Sequence, residues 1–379
     1  MTTLRDISVV FVTSHPGRTL GRVERRWLRV IEALVAEGAH VHVVCALGAP
    51  VEHEARARGA TVAPYRLDRF NLIRTRSRLR KYFLRYRPRV VHTTGYEADV
   101  VTRWAASDLP IAVVSSATVS SWPPRGVWWF DAWIRERLDR DTLPRLDAFI
   151  VDAPEMVDRA VLSGVPRERV VFDSPSVRIA RVLEEAQHEV TLPDGCPLVG
   201  YAGALARSRG LVALAAIAPR IKERHPGACV VVAGEGVARH ALAAAARDGR
   251  IDLVAPVASV PAVLARLEVC VFPLVEPGMP MPLLEALALG RPVVATAVPG
   301  VSGLLEDGVE AMLVPPRDPD ALAGAVLRLL EDADLARSIG ERGRLAAVDR
   351  FQSSDSVERH LALYRRLVAC RAQRAQSSS

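Results

Sequence analysis

Two glutamates, Glu276 and Glu285, frame the stretch EPGMPMPLLEALALGRPVVAT at residues 276–296. Proline fixes φ and glycine reaches conformations closed to other residues, so the loop is stiff, and its amides at Gly278, Met279 and Met281 can face inward. An apolar helix is expected from about Leu283, with Glu285 in its first turn. The ordinary account of a carboxylate there is the helix macrodipole, worth ~0.3–1 kcal/mol. A carboxylate also suits a ribose, because its two oxygens accept from two neighbouring hydroxyls. A second stretch, GYAGALARSRGLVALAAIA, gives Gly203 as a tight exit from a strand and Arg209 immediately before Gly210 and a helix. A guanidinium beside a helix N-terminus offers a diphosphate exposed amides, a favourable dipole and a fork of donors. The competing reading is an arginine that is merely solvated. A third, VVFVTSHP followed by GRTLGRVERRWLRVIEAL, holds Gly21 where backbone can approach a ligand, or where a turn needs a glycine.

These loops need elements to hold them. In the first half, the short apolar runs ISVVFVT, HVHVVC, RVVHTT, IAVVSS and AFIVD alternate with helical patterns such as RRWLRVIEALVAEG. In the second half, PLVGYAG, CVVVAGEG, DLVAP, VCVFPL and PVVAT are each followed by an Ala/Leu-rich helix. Alternating strand and helix imply βα units around parallel sheets, with ligands at the carboxyl ends of the strands. A chain of 379 residues exceeds the roughly 250–300 residues at which one core stops growing, so two domains are expected. The expected bounds are residues 1–180, a linker at 181–196, residues 197–352, an amphipathic helix at 353–371 packing back toward the N-terminal domain, and a disordered tail at 372–379.

No apolar run reaches the ~18 residues of a membrane-spanning helix, and the first residues carry a strand pattern where a signal peptide would be apolar. The expectation is a cytoplasmic protein. Cys45, Cys196, Cys229, Cys270 and Cys370 lack metal-ligand spacing and read as reduced core residues. The net charge of +7 is uneven: residues 1–190 carry 29 Lys or Arg against 23 Asp or Glu, and the remainder 21 against 20.

The run from Glu276 to Thr296 resembles the signature of retaining GT-B glycosyltransferases of the family 4, group 1 type. There, two glutamates separated by seven residues precede an Ala-rich helix and a PVVAT-like strand. GRVERRWLRVIEALVAEGAHVHVVC resembles the family's first glycine loop and helix, GYAGALARSRG its phosphate loop, and VVVAGEG the next strand and turn. VPGVSGLLEDGVEAMLVPPRDPDALAGAV resembles the segment after the signature, and DRFQSSDSVERHLALYRRL the closing helix. The resemblance implies two Rossmann-like doubly wound α/β domains facing across a cleft and a nucleotide-diphosphate sugar as co-substrate, with no cofactor and no metal. It implies Glu285 on the donor ribose, Arg209 on the diphosphate, Gly21 and Gly203 beside the phosphates, and Glu276 on the sugar. The backbone of Gly278, Met279, Met281, Leu283 and Leu284 would grip sugar and phosphate, with Val254 and Val257 around the base. Glu276, Arg209 and His92 form the expected catalytic set.

Three departures stand out. Counting back from Glu285, the first glutamate's place is taken by Pro277, so Glu276 comes one position early. Ala204 replaces an arginine common after the phosphate-loop glycine. The strand end at Ser115 to Thr118 lacks a histidine many members carry, whereas His92 matches a different position and reads either as a site residue or as a structural imidazole.

The segment RLDRFNLIRTRSRLRKYFLRYRPR, residues 66–89, holds ten basic residues and one acidic one. On a helical wheel Leu72, Leu79, Phe83 and Tyr86 share a face, flanked by Arg74, Arg78, Lys81 and Arg85. Such a helix suits an anionic membrane, and Trp122, Trp128, Trp129 and Trp133 downstream are residues that favour the interface. The alternative is a helix packed on its own sheet with solvated arginines. No nucleic-acid reading motif accompanies the charge. The leading function is therefore glycosyl transfer to a lipid-linked or envelope-glycan acceptor, with peripheral attachment to the inner face of the membrane. A nucleotide-sugar epimerase and a non-catalytic homologue that binds nucleotide sugar or partners an active transferase are its rivals.

Overall fold

The computed structural model describes residues 4–14, 20, 22–65, 72–117, 137–138, 141–255 and 257–376. The chain divides into two compact units, residues 1–173 with 354–379, and residues 174–353.

In the first unit seven parallel strands stand in the order β3-β2-β1-β4-β5-β6-β7. They are β1 (Ser8–Thr13), β2 (His40–Cys45), β3 (Thr61–Pro64), β4 (Val90–Thr94), β5 (Ala112–Ala117), β6 (Ala148–Val151) and β7 (Val170–Phe172). Helices α1 (Arg22–Ala36), α2 (Pro50–Ala57), α3 (Leu72–Tyr86), α4 (Tyr96–Ala105) and α5 (Glu155–Leu162) connect them. The central strands are apolar on both faces because both faces are covered. Val9, Phe11, Val41 and Val43 pack under Trp27 and Ile31 of α1, while Val10, Val12, Val44 and Val91 pack on the opposite side with Leu79, Phe83 and Val101.

The second unit holds β8 (Leu198–Ala202), β9 (Cys229–Ala233), β10 (Asp252–Val254), β11 (Val269–Phe272), β12 (Val293–Thr296) and β13 (Met312–Val314), parallel in the order β10-β9-β8-β11-β12-β13. Its helices are α6 (Ile179–Glu185), α7 (Leu211–Arg224), α8 (Arg239–Arg247), α9 (Val260–Arg266), α10 (Met281–Ala288), α11 (Pro319–Glu331) and α12 (Ala333–Arg350). Ser259, Asp318 and Asp332 cap α9, α11 and α12 by accepting from the amides of Ala262, Ala321 and Leu335.

The last helix, α13 (Ser353–Gln376), returns to the first unit. Leu361, Tyr364, Leu367 and Val368 enter the core beside α1. Asp173, buried at the end of β7, accepts from Ser356 Oγ at 2.8 Å and pairs with Arg26 and Arg359, each at 2.7 Å. Burial alone would raise its carboxyl, but Arg26, His360 and Arg359 together hold it below the usual carboxylate range.

The boundaries differ from those expected. The chain leaves the first unit after Asp173, not after residue 180, because Val177 pairs with Gln352 and joins Val182 in the second core. The expected linker at 181–196 begins inside α6, a helix too short to show a period. The tail expected to be disordered from residue 372 continues α13 as far as Gln376.

Candidate donor-binding site

The order of the second sheet reverses between β8 and β11, so the loops after these strands flank its topological switch point, the usual ligand position in such sheets. The two loops are joined directly: the Val275 amide donates to the Ser208 carbonyl at 3.1 Å. Gly210 adopts φ 63°, and a Cβ there would lie 1.9 Å from the Pro273 carbonyl oxygen. Only glycine permits this approach, which brings the start of α7 against the loop that carries Glu276. The loop after β9 closes in the same way, since a Cβ on Gly234 would meet the Gly203 oxygen at 2.0 Å. The Leu205 amide donates to Glu235 at 2.7 Å, and Arg239 Nη1 donates to the carbonyls of Gly234 and Val254.

Tyr201 lies buried at the end of β8 and donates to the Ala204 carbonyl at 3.0 Å. Burial pushes its phenol up to about 12, with the Glu285 carboxylate adding to the rise and the Arg209 guanidinium opposing it. One buried phenol therefore feels both expected donor-site charges. Arg209 is half-buried, and its Nε has no hydrogen-bond partner. A buried donor left unpaired costs about 1–3 kcal/mol, which an anionic ligand would recover. Neither Tyr201 nor Arg239 was singled out from sequence. The signal for Tyr201 was a lone aromatic closing an aliphatic strand before a glycine.

The Pro/Gly loop departs from expectation in three places. Helix α10 begins at Met281, since proline is tolerated in a first turn, so Glu285 falls in the second turn. The macrodipole fades within one turn and no longer accounts for that carboxylate. The Gly278 amide donates to Pro299 at 2.8 Å, and the amides of Leu283 and Leu284 turn to the Pro280 carbonyl. The grip expected of these three amides is thus already spent within the protein. Met281, as first residue of α10, has an amide with no acceptor in its own helix. The side chains of Met279, Leu283 and Leu284 belong to the core. Glu276 is exposed, on backbone fixed by the bonds of Val275 and Gly278. Val254 and Val257 are half-buried beside the end of β10.

In the first unit the expected role of His92 does not hold. Its side chain is 0% exposed, its Nδ1 meets the Tyr364 hydroxyl at 2.5 Å and its Nε2 the Ser116 hydroxyl at 2.7 Å. Packed against Phe11, Trp27 and His360, it has no nitrogen left for a substrate, and burial holds it well below the usual histidine range. His92 shares strand parity with Val90, which faces α1 and α13. The loops after β1 and β4 meet where Ser14 Oγ accepts from the Ala98 amide at 3.3 Å. Gly21, Trp122, Trp128, Trp129 and Trp133 lie outside the described residues.

Of the face expected on α3, Leu79 and Phe83 point into the core and Tyr86 stacks on His42 and Tyr82, while the Leu72 side chain lies outside the described residues. Arg74, Arg78, Lys81 and Arg85 are exposed. Among the described residues no three His, Cys, Asp or Glu side chains converge as a metal would need.

A family model described as "Glycosyl transferase 4-like domain" matches residues 21–173, and one described as "Glycosyl transferases group 1" matches residues 196–332. The chain belongs to the group 1 glycosyltransferases. The alpha-D-kanosaminyltransferase of Streptomyces kanamyceticus is 29% identical over 181 residues, 46% of this chain and 47% of that protein. The alignment thus spans about half the length of that relative. A crystal structure of a glycosyltransferase from Rickettsia africae superposes with a TM-score of 0.78 at 14% identity, covering 96% of this chain and 99% of the other. That of Anabaena Alr3699/HepE in complex with UDP gives 0.77 at 15%, covering 94% and 99%. At such identities the structures establish the fold of this glycosyltransferase, which is GT-B, and nothing finer.

Proposed function

We propose that this glycosyltransferase moves a hexosyl group from a nucleotide-diphosphate sugar to a lipid-linked or envelope-glycan acceptor, with retention of anomeric configuration. The observation that carries the reading is that the loop with Arg209 and the loop with Glu276 are hydrogen-bonded together at the switch point of the second sheet, where the Arg209 Nε is left without a partner. Arg209 takes the diphosphate on its fork, Glu285 accepts from the ribose hydroxyls, and the base lies against Val254 and Val257. The Met281 amide and the Glu276 carboxylate hold the sugar. UDP bound to the Anabaena structural neighbour supports a nucleotide ligand for this fold.

In the reaction the bond from the anomeric carbon to the diphosphate oxygen breaks, and the acceptor oxygen bonds to that carbon from the same face. The acceptor proton passes to the departing phosphate oxygen. No side chain needs to become a nucleophile, so the protein's part is positioning and electrostatic stabilisation. Arg209 meets the charge that develops on the diphosphate. His92, sealed in its core, takes no part.

The test is calorimetric. Glu285→Gln should weaken nucleoside diphosphate binding by about 1–3 kcal/mol, the scale of a hydrogen bond to a charged group. Unchanged affinity would remove the ribose assignment. Tight binding by the parent without any turnover of a nucleotide sugar would favour a binding-only homologue, a reading that the exposed Glu276 also accommodates.

A further inference from the structure

Helix α3 turns Thr75, Leu79 and Phe83 into its own unit, all nearly fully buried. On its other side Ile73 is 72% exposed and Leu84 53% exposed. Three helical turns separate them, so they share one azimuth to within about 20° and stand about 16 Å apart. Arg74, Arg78, Lys81 and Arg85, all exposed, run along one side of this pair, about 60–140° round the helix from it. Cations of the helix also reach its neighbours: Arg80 is bidentate on Asp108, at 2.5 and 2.8 Å, the Arg76 guanidinium lies 4.6 Å over Trp104, and Arg78 donates to the Tyr65 hydroxyl at 3.4 Å. The outward face thus sets two large aliphatic side chains beside a row of positive charge. This is not the face the sequence suggested, which is the core side.

The geometry points to this stripe, Ile73 and Leu84 with Arg74, Arg78, Lys81 and Arg85, as a docking surface for an anionic lipid bilayer. The cations meet phosphate headgroups, and the aliphatic pair reaches the apolar layer beneath them. A nucleic acid would satisfy the charge and leave Ile73 and Leu84 with nothing to enter. No described helix is long and apolar enough to cross a membrane, so attachment by this face is peripheral. The inference rests on the reading that the acceptor is lipid-linked, which would bring the enzyme to the bilayer.

Sedimentation with vesicles of phosphatidylglycerol mixed into phosphatidylcholine, and of phosphatidylcholine alone, tests it. The parent should pellet with the anionic vesicles at low salt and less so at high salt. Replacing the four cations with Gln should reduce that binding roughly 100-fold or more, since each Lys or Arg near an anionic surface contributes roughly fivefold. Ile73→Ser with Leu84→Ser should keep the low-salt binding and lose what survives at high salt. A parent that stays in the supernatant throughout overturns the proposal, and so does a parent that pellets equally well with both variants. Nucleoside diphosphate affinity, measured on the same samples, separates the two readings. Intact affinity with no vesicle binding removes only the surface, and vesicle binding without nucleotide affinity removes only the donor site.

Discussion

Arg209 carries the charge argument at the residue scale. With Ala204 in the place of a second cation, and its own Nε buried without a partner, it is the residue we propose as the principal donor to a diphosphate in these loops. Arg209→Ala should therefore abolish the preference for a nucleoside diphosphate over the bare nucleoside, read by calorimetry as two affinities that converge. Unchanged selectivity would assign the loop to another task. Arg209, next to Gly210, and Glu285, three residues after Pro282, could be singled out in the sequence because glycine and proline mark irregular backbone. His92 was not, since its environment depends on which strand face it occupies and on a helix far along the chain. The fate of individual amides was equally hidden: Pro299 and Pro280 take up Gly278, Leu283 and Leu284 through turns that no local pattern announces.

At the scale of elements, α13 depends on groups that must stay neutral. The His360 ring donates from Nδ1 to the Ser356 carbonyl at 2.8 Å, leaves Nε2 buried without a partner and stacks on His92. Burial lowers its pKa to about 4, while Asp173 works to raise it and Arg26 and Arg359 add to the fall. The unfolded chain, with histidine near its ordinary value of about 6.5, binds more protons than the folded one between those limits. Stability from this group is complete above about pH 6.5 and is lost as pH falls toward 4. Protection factors along α13, corrected for the intrinsic slowing of amide exchange in acid, should fall between pH 7 and 5, and His360→Leu should flatten that dependence. Identical pH profiles for the two proteins would contradict it. Asp173, with its depressed carboxyl, contributes stability that is lost only at lower pH, so the window belongs to the histidines. Long apolar strands such as β1 and β2 were legible, whereas β3, β7 and β13 have only three or four residues each and no run to announce them. On α3 a wheel found an apolar face but not its direction, and the core claimed it, as it does for most amphipathic helices.

For the whole molecule, a GT-B fold sets the proposed donor charges at one switch point of the second sheet. The fold was legible because motifs recur in order across both halves; the choice of base, sugar and acceptor was not, because side chains of relatives at low identity do not transfer. The most direct measurement follows the purified protein with a panel of uridine, guanosine and adenosine diphosphate sugars by proton NMR, watching the sugar set free by slow hydrolysis. The expected result is release of nucleoside diphosphate from at least one donor, with the first sugar to appear carrying the donor's own anomeric configuration. Release of the opposite anomer, or a donor panel left intact by a protein that folds, would contradict it.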